Sequence, residues 1–282
     1  VNRIVRVLSG AAAAALLVVA GAAEPEPLIL AVHPYLPAPE LLARFTPLAQ
    51  ALGKAVGRPI DVRVGRSYEE HIGAIGNDSV DIAYMGPTPY VTLVAKYGPK
   101  PILARQVVHG DPMVHGVIVV RQDSPVQSLA QLQGRRFAFG DPQSTTGHIL
   151  ASAMLLQAGV PESALAGHGF LGSHMNVALA VLAGDYDAGA IQEQVFDTFR
   201  DKGLRVLAVE PRVPDHVLVA SNRLPAALRD KLRQTLLHLQ DQPEGRAILA
   251  RLQPDFTEFV PARDSDYDAL RRIMHATVPL AR

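Results

Sequence analysis

The feature that most restricts how this chain can fold is an alternation of short apolar runs with longer amphipathic ones, which runs through three times and later begins again. Leu28-Ile29-Leu30-Ala31-Val32 reads as a buried strand. Glu40 to Leu52 carries Leu41, Phe45, Leu48 and Leu52 at helical spacing with Gly53 as its stop, and Ile60 to Val64 alternates as a strand. Ser67 to Glu70 fits a capping box with Ser67 as N-cap. Ile82-Ala83-Tyr84 is a third strand, and Gly86-Pro87-Thr88-Pro89 opens a third helix with Thr88 as its cap. This order specifies an α/β unit, an open sheet with helices on its faces.

Ile102 to Val108 and Gly116 to Val120 read as further strands, the second leading out of the unit, and the alternation then restarts. Phe137 to Phe139, Ala188 to Ile191 and Leu204 to Val209 are strands; Thr146 to Ala158, Val177 to Leu182 and Glu193 to Lys202 are helices. Pro211 and Pro214 mark a linker, Val217 to Ala220 is a strand returning to the first unit, and three helices close the chain around Pro225–Gln240, Pro243–Arg251 and Ser265–His275. Two open mixed sheets joined by two crossings make a two-lobed, hinged molecule. Residues 24–118 and 212–282 form one lobe and 119–211 the other, with hinges near 116–121 and 210–216. Ligands of such sheets sit beyond the carboxyl ends of strands, here between the lobes.

Residues 1–23 follow a different logic. Arg3 and Arg6 precede an apolar stretch from Val7 to Ala20, then small residues, then Glu24-Pro25-Glu26-Pro27. This is the layout of a secretory signal peptide, and the apolar run is short for a membrane span. The expected location is therefore periplasmic. The chain has no cysteine, which excludes disulfides, thiolate metal sites and lipid attachment. With 27 basic and 27 acidic residues it lacks the charge of a nucleic-acid surface. His33, His109 and His115 lack the spacing of metal pairs and read as surface or cleft residues, so no metal or other cofactor is expected. Gly167, Gly169 and Gly172 read as loop punctuation.

The chemistry concentrates at Asp141-Pro142-Gln143-Ser144-Thr145-Thr146-Gly147, where a strand hands over to a helix. Helix starts offer unpaired amides and a positive dipole end, and three hydroxyls added to them make an anion cradle of neutral donors. A plain N-cap needs only one of them, and both readings stand on this stretch alone. Tyr68, Tyr84, His174 and Gln194 also fall just past strand ends or at helix starts. Ser144, His174 and Asp187 could be imagined as a hydrolase triad, but no Gly-x-Ser-x-Gly surrounds Ser144, so the chain is not read as an enzyme.

Gly65 to Glu70, Asp81 to Pro87, Phe139 to Gly147, Gly172-Ser173-His174 and Gly184 to Ala190 together resemble the periplasmic phosphate, phosphite and phosphonate substrate-binding proteins of ABC importers. The resemblance implies the type II periplasmic-binding fold, closing as a monomer around a small phosphorus oxyanion, with an ABC permease as partner. A sensor-kinase ectodomain is the alternative partner. It places the phosphoryl oxygens on Ser144 and Thr145, gives Thr146 the place of a serine, completes the site with His174 and adds Tyr68 from the first lobe. Three departures bear on the ligand. Met175 stands where an acid is common; Gln194 and His216 stand where aminophosphonate binders have carboxylates; and a tyrosine is replaced near Val114 and His115. An ammonium buried without a carboxylate is costly, so an aminoalkyl phosphonate is not the expected ligand. Met175 favours an anion with an apolar side, unless Asp185, Asp187 or Glu193 fills the same space.

Overall fold

The computed structural model describes residues 26–277, so the signal peptide expected at 1–23 lies outside the described residues. The first stretch alternates β1 (Leu28–Val32), α1 (Ala38–Val56), β2 (Ile60–Val64), α2 (Tyr68–Gly76), β3 (Ile82–Met85) and α3 (Pro87–Tyr97). Then come β4 (Ile102–Val108), the two-residue β5 (Met113–Val114) and β6 (Gly116–Arg121). The second alternation is β7 (Arg136–Phe139), α4 (Leu150–Gln157), β8 (Gly167–Phe170), α5 (His174–Ala183), β9 (Ala188–Gln192), α6 (Glu193–Phe199) and β10 (Leu204–Val209). The chain ends with β11 (Val213–Pro214), β12 (Val217–Ala220), α7 (Ala226–Leu237), α8 (Pro243–Leu252), β13 (Phe256–Val260) and α9 (Asp268–Thr277).

Two mixed sheets result. The six-stranded one runs β13-β4-β12-β3-β1-β2, and the five-stranded one runs β10-β6-β9-β7-β8. In the first, β1, β2 and β3 are parallel with Val32 level with both Val64 and Tyr84, so His33, Gly65 and Gly86 emerge at one edge. In the second, β7 is parallel to β8 and β9, which puts the cradle loop, His174 and Gln192 at the corresponding edge. Alternation along the strands buries both faces of the first sheet. Leu30, Val32 and Tyr84 pack under α1, α7 and α8, whereas Ala31, Ala83 and Met85 pack under α2, α3 and α9. Each fully buried leucine on such a face contributes about 1.5–3 kcal/mol, and Leu41, Leu48 and Leu52 of α1 are all fully buried.

Several expectations are corrected. Gly53 does not stop α1, which continues to Val56 and is capped by left-handed Gly57. A Cβ at Gly53 would stand 2.9 Å from the Arg58 carbonyl oxygen, so the glycine answers a close approach inside the helix. The glycines at 167 and 169 lie in a strand, β8, where a Cβ at Gly169 would meet the Tyr186 hydroxyl at 2.3 Å. Strand β13 has no counterpart in the sequence reading. The capping box is half made: Ser67 accepts from the Glu70 amide, but the Glu70 carboxylate reaches back to Arg66. Residues 116–121 form β6, paired on both sides within the second sheet, so the first crossing lies ahead of Gly116. There β5 pairs antiparallel with β11, Val114 level with Val213, tying the two crossings together.

Candidate functional site

The cradle loop is built from its own backbone. Asp141 Oδ1 accepts from the Gln143 amide at 2.7 Å and the Asp141 carbonyl accepts from the Ser144 amide at 2.9 Å, turning the chain off β7. Ser144 is the N-cap, its Oγ accepting from the Gly147 amide at 3.1 Å. The helix expected from Thr146 starts instead as a π-helical turn, Thr145–Ile149, in which the Ile149 amide reaches the Ser144 carbonyl, and becomes α-helical only at Leu150. Such widened turns are frequent at functional sites. Ser144, Thr145 and Thr146 are all buried. A Cβ on Gly147 would stand 2.8 Å from Ser144 Oγ and 3.0 Å from His174 Cε1, so glycine is required where cap and histidine converge.

α3 faces this loop from the other lobe. Thr88 is not its cap: Gly86 is the N-cap and makes no side-chain cap bond. Pro87 and Pro89 lack N–H groups, and the Tyr90 amide bonds the Gly86 carbonyl, so the turn presents the Thr88 amide alone. That amide donates to Thr145 Oγ1 across the cleft at 2.9 Å. Tyr68, the first residue of α2, is buried, and burial raises its hydroxyl pKa well beyond the ordinary range. The lobes therefore meet directly over the cradle. Leu150 of α4 also shares an apolar cluster with Tyr90, Tyr267 and Leu270.

His174 opens α5 behind the Ser173 cap. Its Nδ1 accepts from the Gln192 amide at 3.3 Å, and burial, then neighbouring His216, lowers its pKa to about 4. On the first lobe, His33, Tyr84 and His216 form a cluster of rings within 16° of parallel, with centroids 4.9–5.7 Å apart. His33 is buried, and desolvation, then His216 and His71, holds its pKa well below the usual histidine range. The buried Asp215 carboxylate accepts from the backbone amide of His216 at 2.6 Å and pairs with its Nδ1 at 2.7 Å.

Ser144, Thr145, Thr146, His174, Tyr68 and His216 converge on one enclosed cavity of about 10 Å³. Among the described residues, no lysine or arginine lines it. Tyr84, His115 and Gln194 are placed elsewhere, around an open cleft of about 700 Å³ that shares Val114, Gln192 and His216 with the small cavity. The Tyr84 hydroxyl donates to Gln106, and His115 Nε2 lies 3.2 Å from Glu193. Met175 packs against the apolar cluster under α5 and does not face the cavity. With His174 turned inward, its neighbour points about 100° away around the helix, so Met175 does not contact a ligand in the cavity and gives it no apolar side. The Ser144–His174–Asp187 arrangement does not form, because Asp187 accepts from the Arg136 amide at 2.8 Å, at the amino end of β7. Gln192 and Asp215 carry no signal in the sequence, and His33, expected only as a surface or cleft residue, lines the cavity. His33 directly follows β1 at a strand's carboxyl end, the same placement that marks the other site residues. Among the described residues, no group of three or more His, Cys, Asp or Glu could hold a metal ion, and no helix is long and apolar enough to cross a membrane.

A family model described as "ABC transporter, phosphonate, periplasmic substrate-binding protein" matches residues 30–267. The phosphate-import protein PhnD of Mycolicibacterium smegmatis is 28% identical over 280 residues, covering 90% of this chain and 86% of that protein. The phosphonates-binding periplasmic protein of Escherichia coli is 24% identical over 222 residues, covering 75% of this chain and 66% of that one. Among solved structures, PhnD1 of Prochlorococcus marinus in complex with methylphosphonate superposes with a TM-score of 0.81 at 23% identity, covering 88% of this chain and 97% of that chain. At that identity the superposition establishes the fold.

Proposed function

From the premise that the chain belongs to the periplasmic phosphonate substrate-binding proteins of ABC transporters, we propose that it closes its two lobes on a small phosphorus oxyanion and delivers it to a permease. Ser144, Thr145, Thr146 and His174 hold the phosphoryl oxygens on the second lobe, and Tyr68 and His216 close over them from the first. The boundary expected at 118 moves back to the start of β6, so the first lobe takes residues 26–115 with 212–277 and the second takes 116–211. The grouping of β1–β4, β12 and β13 in one sheet and β6–β10 in the other supports this division. Tyr84, His115 and Gln194 line the open cleft where a substituent on phosphorus would run. The chain binds without turnover, acts as a monomer and is exported by its signal peptide.

One observation carries the reading. Backbone amides already occupy acceptor positions on Ser144 and Thr145, so their hydroxyl protons are left to donate. The wall of the cavity thus offers hydrogen-bond donors without a fixed positive charge. Bonds to a charged partner contribute about 1.5–3 kcal/mol each. Four or five of them, less the cost of association and closure, reach the roughly 8 kcal/mol of a micromolar binder. Calorimetric titration with phosphate, phosphite, methylphosphonate and aminoethylphosphonate tests it. At least one of the first three binds at micromolar concentration or tighter, and aminoethylphosphonate binds more weakly because Asp215 is committed to His216. Absence of binding by all four sinks the assignment.

A further inference from the structure

Four polar groups that line the small cavity can be assigned as donor or acceptor from what holds the other end of the group. Ser144 and Thr145 accept from backbone amides and have protons to give. His174 accepts at Nδ1 from the Gln192 amide, so its proton is on Nε2. His33 is the reverse case. Its Nδ1 lies 3.1 Å from the Tyr84 carbonyl oxygen, which can only accept, so Nδ1 carries the proton.

Burial and the neighbouring imidazoles disfavour a second proton on His33 and outweigh the opposing pull of the Tyr84 carbonyl. Tyr35 flanks it on its own segment, Tyr68 and His71 face it from α2, Tyr84 from β3, His216 from the second crossing, and His174 acts on it from α5. The three tyrosines are kept protonated by burial. The nearby carboxylate, Asp215, is spent on His216. The His33 ring is therefore neutral and its Nε2 is a bare lone pair. His33 lines the cavity together with Gly86 and His216, and its Nε2 lies 3.6 Å from where a Cβ on Gly86 would stand, with His216 Nε2 3.5 Å from the same point.

We propose that His33 Nε2 is the acceptor that reads a proton on the ligand, so that the site selects an oxyanion still carrying a P–OH group over one that is fully ionised or has no proton. This rests on the phosphorus-oxyanion reading above and adds the protonation state to it. A P–OH satisfies the lone pair while the remaining oxygens take up the donors. A proton-free oxyanion sets oxygen lone pairs against Nε2 in a buried site, and a site built to bond a hydroxyl discriminates strongly against analogues that lack it.

Methylphosphonate and methanesulfonate test this, because at pH 6 both are tetrahedral monoanions with a methyl group and only the first has a proton to give. Calorimetry on the wild-type protein from pH 6 to 9 is expected to show methanesulfonate at least about a hundredfold weaker at pH 6. Methylphosphonate affinity is expected to fall about tenfold per pH unit above its second ionisation. In His33→Gln, whose amide can turn a donor to the cavity, the preference narrows to within about tenfold and the pH slope flattens. Methanesulfonate binding within tenfold of methylphosphonate in the wild type, a flat wild-type pH profile, or an unchanged preference in a folded His33→Gln overturns the proposal. The two wild-type results decide it whether or not the variant folds. Failure of every phosphorus oxyanion at pH 6 is a different result, and strikes the oxyanion reading itself.

Discussion

Replacing Thr145 with valine removes one oxygen while keeping the branched shape, and two interactions go with it. Thr145 Oγ1 accepts the Thr88 amide across the cleft at 2.9 Å, in a residue that is only 6% exposed. Thr88 stands between two prolines, so no neighbouring amide can replace it. Leaving that buried N–H unmet costs about 1–3 kcal/mol, and the hydrogen bond the hydroxyl gives to an anion is worth about 1.5–3 kcal/mol. Together about 2.5–6 kcal/mol is lost from the closed, liganded state, an affinity drop of about a hundredfold to ten-thousandfold. With the lobes apart, water satisfies both groups, so the loss falls on binding rather than on the stability of either lobe. The assay is calorimetry with methylphosphonate on wild type, Thr145→Val and Thr145→Ser, alongside ligand-free thermal melts. The serine variant keeps the oxygen and binds within about tenfold of wild type. A valine variant that binds within threefold of wild type would refute the assignment of Thr145 to both contacts.

Gly147→Ala drives a methyl to 2.8 Å from Ser144 Oγ and 3.0 Å from His174 Cε1. Overpacking of this kind costs about 1–3 kcal/mol, and titration should show lost affinity with a modestly lowered melting temperature. Glu210 is buried beside Gly116 with neither carboxyl oxygen hydrogen-bonded to a side chain or backbone group, and burial raises its pKa well above the usual carboxylate range. Between the unfolded and folded values the folded state binds the extra proton, so stability falls as pH rises. Glu210→Gln should accordingly melt higher than wild type at pH 7, the difference closing below pH about 4. Glu162 is the opposite case, its pKa lowered to about 2 chiefly by the hydrogen bond with His148. A depressed carboxyl stabilises above its unfolded value and loses that contribution as pH falls through its folded one. Glu162→Gln should therefore melt lower than wild type at pH 7 and equal to it near pH 2 in circular dichroism scans.

The sequence reading reached the fold because strand periodicity and helix periodicity are local signals. The parallel β1-β2-β3 and β7-β8-β9 groups follow from the order of elements, and both sheets are mixed as expected. Its misses were non-local. Gly53 and Gly169 read as punctuation, yet each is set by an atom the chain brings against it, the Arg58 carbonyl and the Tyr186 hydroxyl. Strand β13 exists because β4 has an open edge for it. The site divides in the same way. Ser144, Thr145, Thr146 and His174 were legible because caps and helix starts are written locally, whereas Met175 was misjudged because adjacent helical residues diverge. For His33 the sequence supports no more than a surface or cleft position, because its role depends on Tyr84 and His216, which only the fold brings beside it.

The two helix starts that meet in the cleft are unequal, and the inequality is written in the sequence. α3 begins Pro-Thr-Pro, which deletes two of the first three amides and commits the third to Thr145. The opposing turn begins Thr-Thr-Gly, keeps its amides and surrounds them with hydroxyls. On the function proposed above, an anion arriving between open lobes finds its donors on the second lobe, and the first adds Tyr68, His33 and His216 on closure. Because none of the donors carries a fixed charge, attraction at long range is weak, and recognition depends on matching donors and acceptors one by one. The bare nitrogen proposed at His33 then bears directly on which oxyanion is kept.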